Sequence, residues 1–233
     1  MTDYYRINND HLKEKQKELK LRLDNGKTRR ITVDGPITDE YNNARPRILW
    51  VLREPDGDGD GSLINDVLSD FLSRSPKWSY WLSTWGLLAK TSYGLLNKCD
   101  PFAIWEGNRQ LVKESVRSVA VINLNKFGGP ARKSPYYPRG VDKCAELLRW
   151  QLDNLSPDII IFGSTCWDYR SRILFPTGMD IPENCSPSKK GFPSFRAGND
   201  RIYISAYHTR QTVLKHRVYY KYIQKALENP TQL

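Results

Sequence analysis

Three polar side chains of different acid–base character stand at the carboxyl ends of apolar runs. Glu54 follows RILWVLR (47–53), Asn123 lies at the end of VRSVAVINL (116–124), and His208 closes RIYISAYH (201–208). A carboxylate can accept a proton or steady a cation, a carboxamide carries both a donor and an acceptor, and a neutral imidazole can donate a hydrogen bond. Taken singly, each has a plainer reading: Glu54 as an ion-pair partner of Arg53, Asn123 as a turn former, His208 as a hydrogen-bonded structural histidine. A fourth run, PDIIIFG (157–163), leads into Ser164 and Thr165, whose hydroxyls and backbone N–H groups suit a phosphate. Two other patterns are set aside. DGDGDG at 56–61 matches the first half of a calcium loop, but the twelfth position is Val67 and the preceding segment is strand-like. Lys126 could serve as a Schiff-base nucleophile, yet nothing in the sequence points to a lowered pKa.

The elements that must position these residues follow from apolar periodicity. The four runs are short, continuous and rich in strand formers, as expected of strands buried on both faces. Between the runs ending at Asn123 and leading to Ser164, VDKCAELLRWQLDNL (141–155) places Val141, Cys144, Leu147, Leu148, Leu152 and Leu155 at helical spacing, and VLKHRVYYKYIQKALEN (213–229) is helical as well. Strands alternating with helices predict a three-layer α/β/α sandwich around a central, mostly parallel four-stranded sheet, with the chemistry at the carboxyl edge. HLKEKQKELKLRL predicts a surface helix within an N-terminal helical extension spanning 1–45. The segment 61–115 contains Trp78, Trp81, Trp85 and Trp105 and reads as a helical insertion roofing one side of the site. No repeat or low-complexity linker divides the chain, so 1–233 is expected to be one domain.

Composition narrows the partners. In 233 residues, Lys plus Arg number 36 against 26 Asp plus Glu, a formal +10, which favours a polyanion. Seven tryptophans and thirteen tyrosines supply rings that can stack on bases, although most such rings fill cores. No apolar run approaches the ~20 residues of a membrane span, and MTDYYRINND lacks a secretory apolar region. A cytoplasmic protein without membrane contact is the expectation. Cys99, Cys144, Cys166 and Cys185 show neither C-x-x-C nor paired Cys/His spacing, so reduced thiols are expected rather than zinc ligands or disulfides.

Taken together, the four strand ends resemble the uracil-DNA glycosylase superfamily. ILWVLREPDGD sets Glu54 and Pro55 on the D-P, A-P or N-P positions of the family's first motif; VAVINLNKFGG supplies the Asn123 and Lys126 of N-x-x-K; PDIIIFG matches its third strand; and YHTRQ supplies the histidine, His208. The order and spacing of these motifs extend over roughly 46–215. The resemblance implies a monofunctional DNA glycosylase that flips a nucleotide from DNA, hydrolyses its N-glycosidic bond and leaves an abasic site. Glu54 would steady the sugar cation and orient water, His208 would donate to the leaving base, and Asn123 would read its Watson–Crick edge, with Asp56 and Phe127 also at the base. Arg210, Ser164, Thr165, Lys126, Arg132 and Lys133 are the candidate DNA contacts. No cofactor is expected: two branches of the family hold an iron-sulfur cluster, but Phe127 stands where one of its cysteines would be and no N-terminal cysteine pair exists. A monomer is expected. Asp56 replaces the tyrosine that crowds out thymine in the uracil-specific branch, which favours a modified or enlarged pyrimidine, such as glucosylated hydroxymethylcytosine excised in defence against phage. Uracil excision in repair, a non-catalytic DNA-binding protein on the same fold, and a hydrolase of free nucleosides or nucleotides, which would not need the +10 surface, are the alternatives.

Overall fold

A computed structural model of the chain describes residues 14, 32–53, 63–72, 79–127, 137–174, 182, 185–197 and 200–232. Each of the four apolar runs forms a five-residue strand: β2 (Ile48–Leu52), β3 (Val119–Asn123), β4 (Ile159–Gly163) and β6 (Ile202–Ala206). β2 pairs in parallel with both β3 and β4, and β4 in parallel with β6. The sheet is nevertheless not four-stranded. β1 (Gly35–Pro36) and β5 (Ser194–Arg196) add antiparallel to β3 and β6, and β7 (Thr231–Gln232) pairs with β5. The result is a mixed seven-stranded sheet in the order β1-β3-β2-β4-β6-β5-β7.

Continuous apolar sequence is required because both faces are covered. Leu49, Val51, Ala120, Ile122, Ile160 and Phe162 point into one core, which also takes Val141, Cys144, Leu148, Leu152 and Leu155. These five come from one stripe of helix α6 (Tyr137–Leu155). Ile48, Trp50, Leu52, Val119, Val121 and Ile161 point the other way. There they meet α3 (Ser79–Asn97), through Leu87 and Leu88, and α8 (His216–Glu228), through Tyr219, Tyr220, Ile223 and Ala226.

Two expectations change here. The segment 1–45 is not solely a helical extension. Its described part supplies β1 and the buried Asp34, while helix α1 (Glu40–Asn43) is a single turn. The segment 61–115 is less a roof than the crossover joining β2 to β3. It holds α2 (Leu63–Asp66), continued by a widened π-helical turn to Leu72, then α3, α4 (Pro101–Gly107) and α5 (Arg109–Glu114). Trp85 belongs to its core, and Trp50 of β2 donates to Ser92 of α3 at 3.1 Å. The surface helix expected near the N-terminus lies outside the described residues apart from Glu14.

Chain order also sets the crevice. From β2 the chain crosses to β3 on one side, then returns past β2 to β4 on the other. Connections diverging from neighbouring strands leave a cleft at their carboxyl ends, the usual ligand position in sheets of this kind. In this sheet that position is the carboxyl edge beyond Leu52 and Gly163.

Candidate functional site

The edge of the cleft is tied together by backbone. Beyond the strands, the Leu124 and Asn125 N–H groups donate to the carbonyls of Leu52 and Arg53 at 2.9 and 3.0 Å, so the β2–β3 ladder runs on to Arg53. Across the cleft, the Thr165 hydroxyl donates to the Val51 carbonyl at 2.8 Å. Ser164 has a left-handed backbone (φ 60°), which a non-glycine residue adopts only when its surroundings hold it there. Its N–H donates to Ala206 at 2.8 Å, and its Oγ accepts from the His208 N–H at 3.0 Å. The end of β4 is thereby clamped to the turn carrying His208.

Gly163 packs between the end of β2 and His208. A Cβ at this position would stand 3.0 Å from Leu52 Cδ2, tighter than ordinary contact, and 3.7 Å from His208 Cδ2, an ordinary van der Waals distance, so Leu52 and not the imidazole is what a side chain here would crowd. The ring is oriented by the next turn, where the Arg210 N–H donates to Nδ1 at 3.1 Å. An Nδ1 that accepts a hydrogen bond leaves the proton of a neutral imidazole on Nε2. The ring's donor is therefore Nε2.

Asn123 is the register partner of Leu52 and lies on the same sheet face as Gly163 and Ala206. At the usual ~4.8 Å strand spacing, β3 and β4 are roughly 10 Å apart across β2, which is the interval between Asn123 and the Gly163 notch. The Asn123 side chain is not openly presented, being only 2% exposed. Its Nδ2 faces Asp34 Oδ2 at 3.4 Å, and its backbone N–H donates to the same oxygen at 2.8 Å. Asp34 Oδ1 accepts from Lys126 Nζ at 2.6 Å and from Gln151 Nε2 at 3.1 Å. Asp34 and Lys126 are both fully buried. This cluster behind the site was not anticipated, since Asp34 and Lys126 are 92 residues apart and an isolated aspartate carries no sequence signal.

Several expected contacts are corrected by burial. Lys126 has no exposed surface and its charge is spent on Asp34, so it is a structural lysine and not a phosphate contact. Thr165 is buried with its hydroxyl committed to Val51, and the helix that follows, α7 (Cys166–Tyr169), is a single turn. Phe127, 6% exposed, belongs to the core beside α6 and is not a stacking platform. Its N–H donates to Asn125 Oδ1 at 3.1 Å, and Asn125 occupies the space that Gly140 leaves on α6. Ser164 and Arg210 are exposed at the cleft. Glu54, Pro55, Asp56, Arg132 and Lys133 lie outside the described residues, as does the DGDGDG segment.

The cysteines add one unforeseen juxtaposition. Cys166 and Cys185, both buried, share a hydrogen bond that raises the Cys166 thiol and lowers that of Cys185, while burial raises both. A cavity of about 400 Å³ lies away from the cleft, between β5 and the C-terminal end of α8, beside Phe192, Tyr222 and Lys225. Among the described residues, no three His, Cys, Asp or Glu side chains cluster as a metal site, and no helix is long and apolar enough to cross a membrane.

The framework defines an α/β protein built on a mixed sheet. No protein-family model matches the chain, and no curated protein matches it.

Proposed function

We propose that this protein is a monofunctional DNA glycosylase, hydrolysing the N-glycosidic bond of a flipped-out pyrimidine on a uracil-DNA-glycosylase-like arrangement of four parallel strands. The observation that carries the reading is the pairing of Asn123 with an oriented His208 on one face of the sheet, on either side of the end of β2. Cleavage leaves positive charge on the sugar and negative charge on the departing base. An Nε2–H donor at His208 suits the base's developing charge. Glu54, two residues past Leu52 in sequence, is the carboxylate assigned to the sugar and the attacking water. The +10 charge suits a DNA partner, with Ser164 and Arg210 as backbone contacts at the cleft. Asp56 in place of the crowding tyrosine favours a modified base over uracil.

The test is release of free base from DNA containing uracil, hydroxymethylcytosine or glucosylated hydroxymethylcytosine. Glu54→Gln should abolish release while DNA affinity persists. Release from uracil DNA alone would assign the protein to repair. Affinity for DNA without release from any substrate would favour a non-catalytic DNA-binding protein, the reading to which the burial of Asn123 lends weight.

A further inference from the structure

We propose that α3, α4, α5 and α8 together hold a phosphate group in a second site, lined by Lys90, Arg109, His216 and Arg217. Two aromatic rings organise these cations. Lys90 Nζ sits 4.2 Å from the centroid of Trp105 and 5.8 Å from that of Phe102, Arg109 covers Trp105 at 5.2 Å, and Arg217 covers Phe102 at 5.5 Å. Because cations already occupy the ring faces, the site is built for an anion rather than for a stacked base.

Two independent observations point to a missing negative charge. First, Lys90 is only 9% exposed, and among the described residues it has neither an ion pair nor a hydrogen bond. Aromatic faces offset part of the cost of burying an ammonium, but they do not replace a counter-charge. Second, the 13-residue helix α8 begins with Lys215, His216 and Arg217, has no acidic residue in its first turn, and gains no side-chain cap from Lys215. Cations at the positive end of a helix dipole are unfavourable, and the free N–H groups there suit an oxyanion. The carboxylate of Asp100 is engaged with Arg217 at 3.2 Å and with the Phe102 N–H at 2.9 Å.

A phosphate bridging Lys90, the two guanidinium groups and the start of α8 satisfies all of these groups at once. The source is either a backbone phosphate of DNA or a free phosphate or mononucleotide; the recognising chemistry is the same. The inference does not rest on the glycosylase reading, because neither Glu54 nor His208 takes part.

His216 provides the readout. Burial lowers its pKa from the ordinary 6.5, and the nearby Lys90 charge lowers it further. The imidazole proton resonances of the full chain, assigned by their loss in His216→Gln, are titrated in sodium chloride and in inorganic phosphate at matched ionic strength. The expected midpoint is below 6.5 in chloride and above it in phosphate. Lys90→Met should raise the chloride midpoint and remove most of the phosphate-induced shift. Arg109→Gln, at an exposed position where folding is not at stake, should weaken the shift. Equal midpoints in the two salts, or a phosphate shift that survives both substitutions, would overturn the site. Repeating the titration with a short DNA duplex and with a nucleoside monophosphate identifies the source: whichever moves the midpoint at the lower phosphate concentration is the ligand class.

Discussion

Asp34→Leu is the most informative perturbation of the framework behind the cleft. The substitution strands the Lys126 ammonium in a site with no exposure, having removed a partner at 2.6 Å. Breaking a fully buried ion pair from one side costs about 3–5 kcal/mol. The Asn123 N–H, at 2.8 Å, loses its acceptor, and an orphaned buried donor costs about 1–3 kcal/mol, whereas Gln151 Nε2 keeps the Asp34 backbone carbonyl at 3.3 Å. Even the lower figure is a large share of the ~5–15 kcal/mol that holds a domain together. With a urea dependence of about 2 kcal/mol per molar, the unfolding midpoint should fall by about 1.5 M or more. Asp34→Leu/Lys126→Met separates the contributions. With the stranded charge gone, the double variant should recover roughly 3 kcal/mol and keep only the deficit from Asn123. Circular dichroism during urea unfolding measures both. A single variant within 1 kcal/mol of the parent, or a double variant no more stable than the single, would show that Asp34 is not the counter-charge of Lys126.

Gly163→Ala should change stability more than base release. The new Cβ would press on Leu52 Cδ2 at 3.0 Å but meet His208 at an ordinary 3.7 Å, so an overpacking cost of about 1 kcal/mol is expected with the imidazole left in place; kinetics set beside thermal unfolding checks both. His208→Phe keeps a ring but loses the oriented Nε2–H, so release should fall by about 10²–10³ with little change in DNA affinity, and unchanged release would remove His208 from the reaction. Lys90→Met should stabilise the protein at neutral pH in the absence of phosphate. Burial, followed by the Arg109 charge, brings Lys90 down from 10.5 to about 8, so between those values the unfolded chain holds a proton that the folded one has released. Stability linked to Lys90 therefore rises from pH 8 to 10.5, and the penalty is fully present below 8. After discounting for solvent screening this amounts to about 1–2 kcal/mol, and urea midpoints of parent and variant at pH 7.5 and pH 10 should converge at the higher pH.

What could be read from the sequence follows from what leaves a local imprint. β2, β3, β4 and β6 are continuous apolar runs because both faces of each are buried, and the stripe on α6 is spaced as its packing demands. β1 leaves no such imprint. Glycine and proline are poor strand formers, and Gly35–Pro36 pairs with β3 only because the edge of the sheet is open there. β5 and β7 are two to three residues long, too short for periodicity. The residues of the cleft divide in the same way. Asn123 and His208 stand at strand ends and could be picked out. Lys126 and Thr165 have the chemistry of phosphate contacts, but their orientation depends on Asp34 and Val51, partners that only the fold supplies.

The two buried lysines make the same argument from opposite sides. Lys126 has a carboxylate at 2.6 Å and is sealed behind the sheet, so its charge is neutralised internally and it can only fix structure. Lys90 has nearly as little exposure, but its neighbours are Trp105, Phe102, Arg109 and His216, none of which carries negative charge. A folded chain seldom retains an ammonium in that state without a compensating interaction. Sequence composition reports both as contributions to the same +10. Burial and partners distinguish the lysine that completes the scaffold from the one that calls for an anion from outside.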